Sequence, residues 1–254
     1  MSDTPNPTLA VVSFIGLTTI YAPIKYFLEA HRHRDGGIPK IIILSIYVLC
    51  LTIIQFVLNL FLTNAMCGGY QWGTSLIVTL IPWIVIFGLI NILLVVFPGW
   101  LGPFSNTFGY MIALIAGLNK LIYKIFKSKD KASGNILPTL EEIYGNKSLL
   151  INEITTQNFD EFWNRTSNSG LFSNDANIYK SQLFNMIRLK TIVSEYVWLI
   201  LTGIFVTSVS YNYIVNSKCS FSEKEMKSKV DSYDSEIEND ISTNEEPRIY
   251  TESD

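Results

Sequence analysis

Charged side chains are scarce in this sequence, at 16% of its 254 residues. Soluble domains carry about 25%, so the shortage needs a structural cause. No charged side chain occurs from residue 41 to 63 or from residue 75 to 97. Each stretch exceeds the roughly 20 residues that a helix needs to cross a bilayer core about 30 Å thick. The sequence therefore predicts two membrane spans at these positions.

Residues that serve catalysis and metal binding are also rare. The only histidines are His31 and His33, and the three cysteines have no zinc-binding spacing. The sequence contains neither a glycine-rich phosphate loop nor a Gly-x-Ser-x-Gly nucleophile turn. Adjacent acidic pairs such as Glu141–Glu142 lie on predicted helices, where sequence neighbours point apart. We therefore expect a protein that is not an enzyme, with no catalytic residue, metal, cofactor, small-molecule substrate or nucleic-acid partner.

Two weaker apolar blocks add further spans. The first covers about residues 8–28, where the Lys25 ammonium is expected to reach the lipid headgroups and Pro23 to kink or end the helix. The last covers residues 191–215. Together with the two strong stretches, these blocks predict about four transmembrane helices.

A segment rich in proline and glycine follows the third span. Residues 98–106 contain two prolines and two glycines, which remove backbone donors and loosen the chain. Residues 107–126 are then predicted to form a helix whose small residues recur every four positions, a pattern that favours close helix contact. The predicted packing motif comprises Pro98, Gly99, Trp100, Gly102, Pro103, Gly109, Ala113 and Gly117.

Basic residues indicate which ends of the spans share a side. The loop after the first span carries arginines, whereas residues 64–74 carry no charge. Cytosolic loops are enriched in lysine and arginine, which assigns the former loop to the cytosol. A crossing by residues 107–126 would place the lysines that follow on the opposite side, so we expect this helix to be re-entrant or interfacial. Headgroup contacts are predicted for Arg32, Arg34, Lys120, Lys124 and Lys127.

Two polar regions complete the chain. Residues 127–190 have apolar residues at helical spacing and are predicted to form a small helical soluble insertion. Residues 216–254 carry eleven acidic and five basic side chains and too few large aliphatic ones to offset the entropy of ordering, so a disordered acidic tail is expected. The predicted fold class is all-α, a polytopic membrane protein. Its membrane domain occupies residues 1–126, and the last span at residues 191–215 adds one more transmembrane helix.

The proline- and glycine-rich segment also resembles part of a known class of proteins. Residues 97–110, Phe-Pro-Gly-Trp-Leu-Gly-Pro-Phe-Ser-Asn-Thr-Phe-Gly-Tyr, resemble a segment of virion membrane proteins of nucleocytoplasmic large DNA viruses, whose icosahedral particles contain an internal bilayer. The resemblance implies a minor capsid protein that links this bilayer to the capsid shell. It further implies a virion inner membrane derived from a host membrane such as the endoplasmic reticulum, with lipid and other capsid or membrane proteins as partners.

Two other functions remain open from the residues alone. Gln55, Asn59 and Asn91 place amides inside spans, where such groups usually form hydrogen bonds between helices worth about 1 kcal/mol. The alternative for these amides is a polar path through a small channel or transporter. A host-membrane-organising protein would instead insert residues 107–126 in the plane of the bilayer, with the lysines on headgroups.

Overall fold

Helices account for nearly all of the described chain. The computed structural model describes residues 7–35, 40–131, 136–219 and 223–244. Within these residues no sheet forms, although Phe126 and Phe172 pair in an isolated antiparallel bridge. The chain divides into two compact units, residues 1–215 and residues 216–254.

Four helical segments of the first unit are long and apolar enough to cross a bilayer. The first two are α1 (Thr8–Asp35) and α2 (Lys40–Cys67). The third is composite, because α3 (Trp72–Leu80), a π-helical stretch (Ile81–Phe87) and α4 (Gly88–Val96) follow one another without a gap. The fourth lies in α11, described below.

Prolines affect two of these spans differently. Pro82 lies at the start of the π-helical stretch, where its missing N–H and its ring disturb the regular hydrogen-bond ladder and leave a widened turn. Pro23 lies inside α1, which continues through it to Asp35. Pro23 therefore does not end the first span, because neighbouring groups in a membrane bundle can satisfy the backbone that a proline frees.

The last span is part of a single helix of 41 residues, α11 (Ala176–Asn216). At 1.5 Å per residue this helix is about 60 Å long, twice the thickness of a bilayer core. Its buried residues recur at helical spacing on both sides of the predicted boundary at residue 190, from Leu183 and Ile187 to Leu199 and Val206. The insertion and the last span are therefore joined without a break.

The insertion folds around its own core. It comprises α8 (Leu137–Gly145), α9 (Lys147–Glu153), α10 (Phe159–Asn168) and the first part of α11. The preceding helix α7 (Leu118–Ile125) packs into the same core, so the insertion begins about residue 118 where 127 was predicted. Its most deeply buried side chains include Leu118, Ile122, Ile125, Phe126, Leu140, Ile151, Ile154, Phe159, Trp163, Leu183 and Ile187.

The end of the bundle away from the insertion brings three helices together. A crevice there is lined by Leu9 of α1, Ala65 of α2 and Tyr211 of α11, among others. The start of α1, the end of α2 and the end of α11 therefore share one end of the bundle. The insertion adjoins the other end.

Close packing between the spans depends on one glycine and a group of rings. Phe14 of α1 is fully buried, with its ring centroid 5.7 Å from that of Trp83, and Trp83 lies 5.3 Å from Phe87. The tip of the Phe14 ring reaches Gly203 of α11, where an added Cβ would overlap the ring. Glycine at position 203 therefore lets α1 and α11 approach each other.

Within its described residues, the second unit forms the helix α12 (Glu223–Asn244). A disordered tail was predicted for residues 216–254, and residues 223–244 of it are helical; residues 220–222 and 245–254 lie outside the described residues. Glu223 precedes Lys227 by four positions and Glu225 precedes Lys229 likewise, an order that supports a helix. Composition alone does not indicate this helix, because the signal lies in the spacing of the charged residues.

The Gly203→Ala variant is expected to lose about 1–3 kcal/mol of stability, because the Phe14 ring cannot stay in place beside a new methyl group. Thermal unfolding in detergent measures the change. The control is Gly16→Ala on α1, where a Cβ would meet nothing within 4 Å; it should be neutral or slightly stabilising. Equal melting temperatures for the two variants would contradict the proposed contact.

Candidate functional site

Charged groups are concentrated at the end of the bundle that adjoins the insertion. The Lys25 ammonium of α1 forms an ion pair with the Glu195 carboxylate of α11 and lies 4.0 Å from Glu29. We call these three residues the ion cluster. The Lys25 side chain is only 16% exposed, so it does not extend to the headgroups as predicted. A carboxylate at close range stabilises a buried ammonium that lipid and protein have largely separated from water.

Hydroxyl groups in the turns before Lys25 connect three helices. The Tyr21 ring stacks on Tyr47 of α2 with centroids 4.1 Å apart, and the Tyr47 and Thr18 hydroxyls lie 2.8 Å apart. The Thr19 and Tyr196 hydroxyls are 3.0 Å apart and link α1 to α11. Sequence reasoning missed this arrangement, because Lys25 and Glu195 are 170 positions apart and no local pattern relates them.

Two further cations are buried where α11 enters the insertion. The Arg188 guanidinium lies 4.8 Å from the centre of the Tyr26 ring and donates to Asn185 Oδ1 at 2.9 Å. Lys190 is 2% exposed, and its Nζ donates to the Ile151 carbonyl at 2.7 Å. These cations connect α11 to α1 and to α9.

The proline- and glycine-rich segment is helical but irregular. It passes through a 3₁₀ turn (Pro98–Leu101), α5 (Gly102–Phe104), a π-helical turn (Ser105–Gly109) and α6 (Tyr110–Ile115). Gly117 then adopts a φ of +105°, and the chain bends by 81° into α7. Because glycine is favoured in this left-handed region, Gly117 turns the chain, whereas the four-residue spacing had predicted a packing contact.

This segment contacts α11 near the boundary between the insertion and the last span. The Trp100 and Phe104 ring centroids are 6.3 and 5.9 Å from that of Trp198. At Gly109 an added Cβ would lie 2.5 Å from the Lys190 carbonyl oxygen. From Trp100 to Gly109, the segment therefore contacts α11 first at residue 198 and then at residue 190, and α7 continues into the insertion core.

The structure confirms the predicted fold class. It has four spanning segments and an additional bent pair of the re-entrant or interfacial type.

The remaining residues of the predicted packing motif have different surroundings. Ala113 is 1% exposed and belongs to the insertion core. Gly99 and Gly102 have no atom within 4 Å of an added Cβ, so neither provides a close helix contact. The Pro103 carbonyl accepts a hydrogen bond from the Thr107 hydroxyl at 2.6 Å.

The basic residues predicted to contact headgroups occupy two places. Lys120 and Lys124 lie on the exposed face of α7, and Lys127 follows it half-buried. The apolar face of α7 packs into the insertion core, and the Lys124 ammonium lies 5.2 Å from the centre of the Tyr179 ring at the edge of that core. The side chains of Arg32 and Arg34 lie outside the described residues.

Tyr144 of α8 fixes the end of α7. Its hydroxyl donates to the carbonyls of Lys127 at 3.0 Å and Phe126 at 3.3 Å, and its ring stacks on Tyr123. Burial raises the pKa of the Tyr144 phenol, and the neighbouring Tyr123 adds to the increase. The phenol therefore remains a protonated donor at neutral pH.

The amides inside the spans make hydrogen bonds within the bundle. Gln55 donates to the Ala10 carbonyl at 3.0 Å, and Asn59 donates to Thr79 Oγ1 at 2.9 Å. Asn91 donates at 2.7 Å to the carbonyl four residues earlier in its own span. Two of the three amides therefore connect neighbouring helices.

Among the described residues, no group of three or more histidine, cysteine, aspartate or glutamate side chains could hold a metal ion. The histidine side chains lie outside those residues. No protein-family model matches the chain, and no similar curated protein or solved structure was found. Its function is therefore inferred from the geometry described here and from the motif of residues 97–110.

Replacing one member of the ion pair should destabilise the bundle strongly. Lys25→Met leaves the carboxylates of the cluster without its ammonium, and Glu195→Met leaves Lys25 with only Glu29, 4.0 Å away; we expect a loss of up to about 3 kcal/mol in each case. The double variant should recover part of that loss, because two apolar side chains can pack in the same space but Glu29 still loses its contact with Lys25. Thermal unfolding in detergent provides the measurement.

The control for the ion pair is the exposed pair between Arg165 and Glu161, whose side chains are 79% and 62% exposed. Arg165→Met should change stability by less than about 1 kcal/mol, because water already screens this pair. If the Lys25→Met and Arg165→Met variants unfolded at the same temperature, the ion cluster would have no special role in joining α1 to α11.

Proposed function

We propose that this integral membrane protein is a structural component of a virus particle, a minor capsid protein that links an internal bilayer to the surrounding protein shell. The observation that carries the proposal is α11, one helix of 41 residues that belongs to both the insertion core and the last span. Such a helix holds a folded surface at a fixed distance from the lipid. A linker between two concentric layers needs that property.

Further contacts attach the insertion to the membrane domain at several points. The Arg188 guanidinium lies over the Tyr26 ring, and the Gly109 backbone approaches Lys190 closely. These contacts support a structural role because they oppose movement of the insertion relative to the spans. The resemblance of residues 97–110 to virion membrane proteins supplies the viral context, including an inner membrane derived from a host membrane such as the endoplasmic reticulum.

The shell-facing surface in this proposal is the side of the insertion away from the spans. It combines exposed lysines and carboxylates with isolated apolar side chains such as Leu149 and Ile178, which are 56% and 70% exposed. In a protein–protein interface such apolar side chains would belong to the buried centre and the charged ones to the polar rim.

Chemical cross-linking of purified virus particles from the protein's source tests this function. Lysines of the insertion, such as Lys129 and Lys147, should cross-link to a capsid protein, and mass spectrometry identifies the linked peptides. Particles treated with detergent to remove the membrane before cross-linking serve as the control for contacts made only after lysis. Absence of the chain from particles purified free of host membranes would refute the proposal.

A small channel or transporter is the second candidate, favoured by the polar side chains between the spans. Asn59 separates the two functions, because it donates to Thr79 and also lines the crevice. In the structural proposal, Asn59→Leu lowers stability by about 1 kcal/mol and leaves liposome permeability unchanged. Ion or solute flux through liposomes that contain the natural chain, and its loss in Asn59→Leu, would favour the transport function.

A host-membrane-organising role receives less support from the geometry. It requires the apolar side of residues 107–126 to lie in the bilayer. The α7 part of this range instead buries Leu121, Ile122 and Ile125 in the insertion core. The exposed apolar side chains of this range lie mostly before Gly117, such as Ile115 at 78%.

A further inference from the structure

Helix α12 of the second unit exposes a row of apolar side chains. Met226, Val230, Tyr233 and Ile237 are 55%, 53%, 64% and 39% exposed. Their spacing alternates between four and three residues, which is the repeat that forms the seam of a coiled coil. The positions between them are polar or charged. A stripe this narrow is typical of a helix that pairs with another helix.

The charges of α12 separate along its length. Residues 223–230 carry three lysines and two glutamates, whereas residues 231–240 carry five acidic side chains and no basic one. Two copies side by side in parallel would bring the acidic parts together. Two antiparallel copies would place each acidic part beside a part with a small positive charge. Charge complementarity therefore favours a second copy of the same helix in the antiparallel orientation.

We propose that α12 forms a short antiparallel coiled coil with α12 of a second copy of this chain. In the register that aligns the two seams, Val230 faces Tyr233 of the second copy and Met226 faces its Ile237. Each of these contacts occurs twice by symmetry, so all four apolar residues of each helix are covered.

The residues that flank the seam agree with the same register. Lys227 then lies near Asp234 of the second copy, and Lys229 lies near its Glu236. By symmetry this gives four pairs of opposite charge, and e and g positions of this kind set partner choice and orientation in coiled coils. In a parallel pair, Lys229 of one copy and Asp234 of the other would be the only oppositely charged flanking residues near each other.

Membrane attachment makes so short a seam sufficient. Helices in proteins gain most of their stability from packing of an amphipathic face, so a partner that covers the apolar stripe stabilises this helix of 22 residues. Two copies anchored in one bilayer are confined near each other, which raises their effective concentration. This pairing does not depend on the proposed structural role in a virus particle.

Photo-cross-linking of the full-length chain in liposomes tests the pairing and its orientation. With p-benzoylphenylalanine in place of Met226, irradiation should link two copies, and the linked tryptic peptide should contain Ile237. Links that join the region around Met226 in one copy to the same region of the other would indicate a parallel pair and overturn the proposal. Absence of links between copies, or links only to other proteins in native membranes, would also overturn it.

Charge variants test the flanking pairs. Lys227→Glu with Lys229→Glu should reduce cross-linking between copies about tenfold, because every flanking position is then acidic. Asp234→Lys with Glu236→Lys should do the same, and a mixture of these two double variants should restore cross-linking between unlike copies. The matched control, Asp231→Lys with Glu238→Lys, makes the same charge change outside the seam and should keep cross-linking. Equal losses in the control and the seam variants would contradict the register.

Discussion

The constraint on which this architecture depends is that polar and charged groups within a bilayer must find their partners inside the protein. Lys25 meets this requirement through Glu195, and the amides of Gln55 and Asn59 meet it through groups on neighbouring spans. The two amides join consecutive spans, whereas the Lys25–Glu195 ion pair joins α1 to α11, 170 positions apart in the sequence. The polar side chains of the spans thus help to determine which helices are neighbours, together with the buried rings of Phe14, Trp83 and Phe87, while the exposed apolar side chains of the spans face lipid.

The same constraint explains where irregular backbone is placed. The 3₁₀ and π-helical turns between Pro98 and Gly109 lie against α11, with the Trp100 and Phe104 rings beside Trp198. Backbone of this kind is tolerated near the membrane only where protein or water surrounds it. The segment therefore returns to the insertion, and α7 becomes part of a core outside the lipid.

The features that follow from local composition were predictable from the sequence. Long uncharged stretches identify the spans, and the prolines and glycines after residue 97 identify the break. Features that depend on distant contacts were not predictable. Lys25 and Glu195 each look like a residue at a membrane boundary, and nothing near either of them indicates the other. Gly117 shares the spacing of Gly109, yet only the backbone conformation reveals that it turns the chain.

The continuity of α11 has a mechanical consequence. A spanning helix adapts to the thickness of its bilayer by tilting. Here the insertion must rotate with the span, because both contain parts of the same continuous helix. A change in tilt of about 10° would move a point about 20 Å further along the helix by about 3 Å. Thin and thick patches of membrane would thus present the folded surface at different angles, and the lipid composition beneath each copy would influence how well neighbouring copies line up.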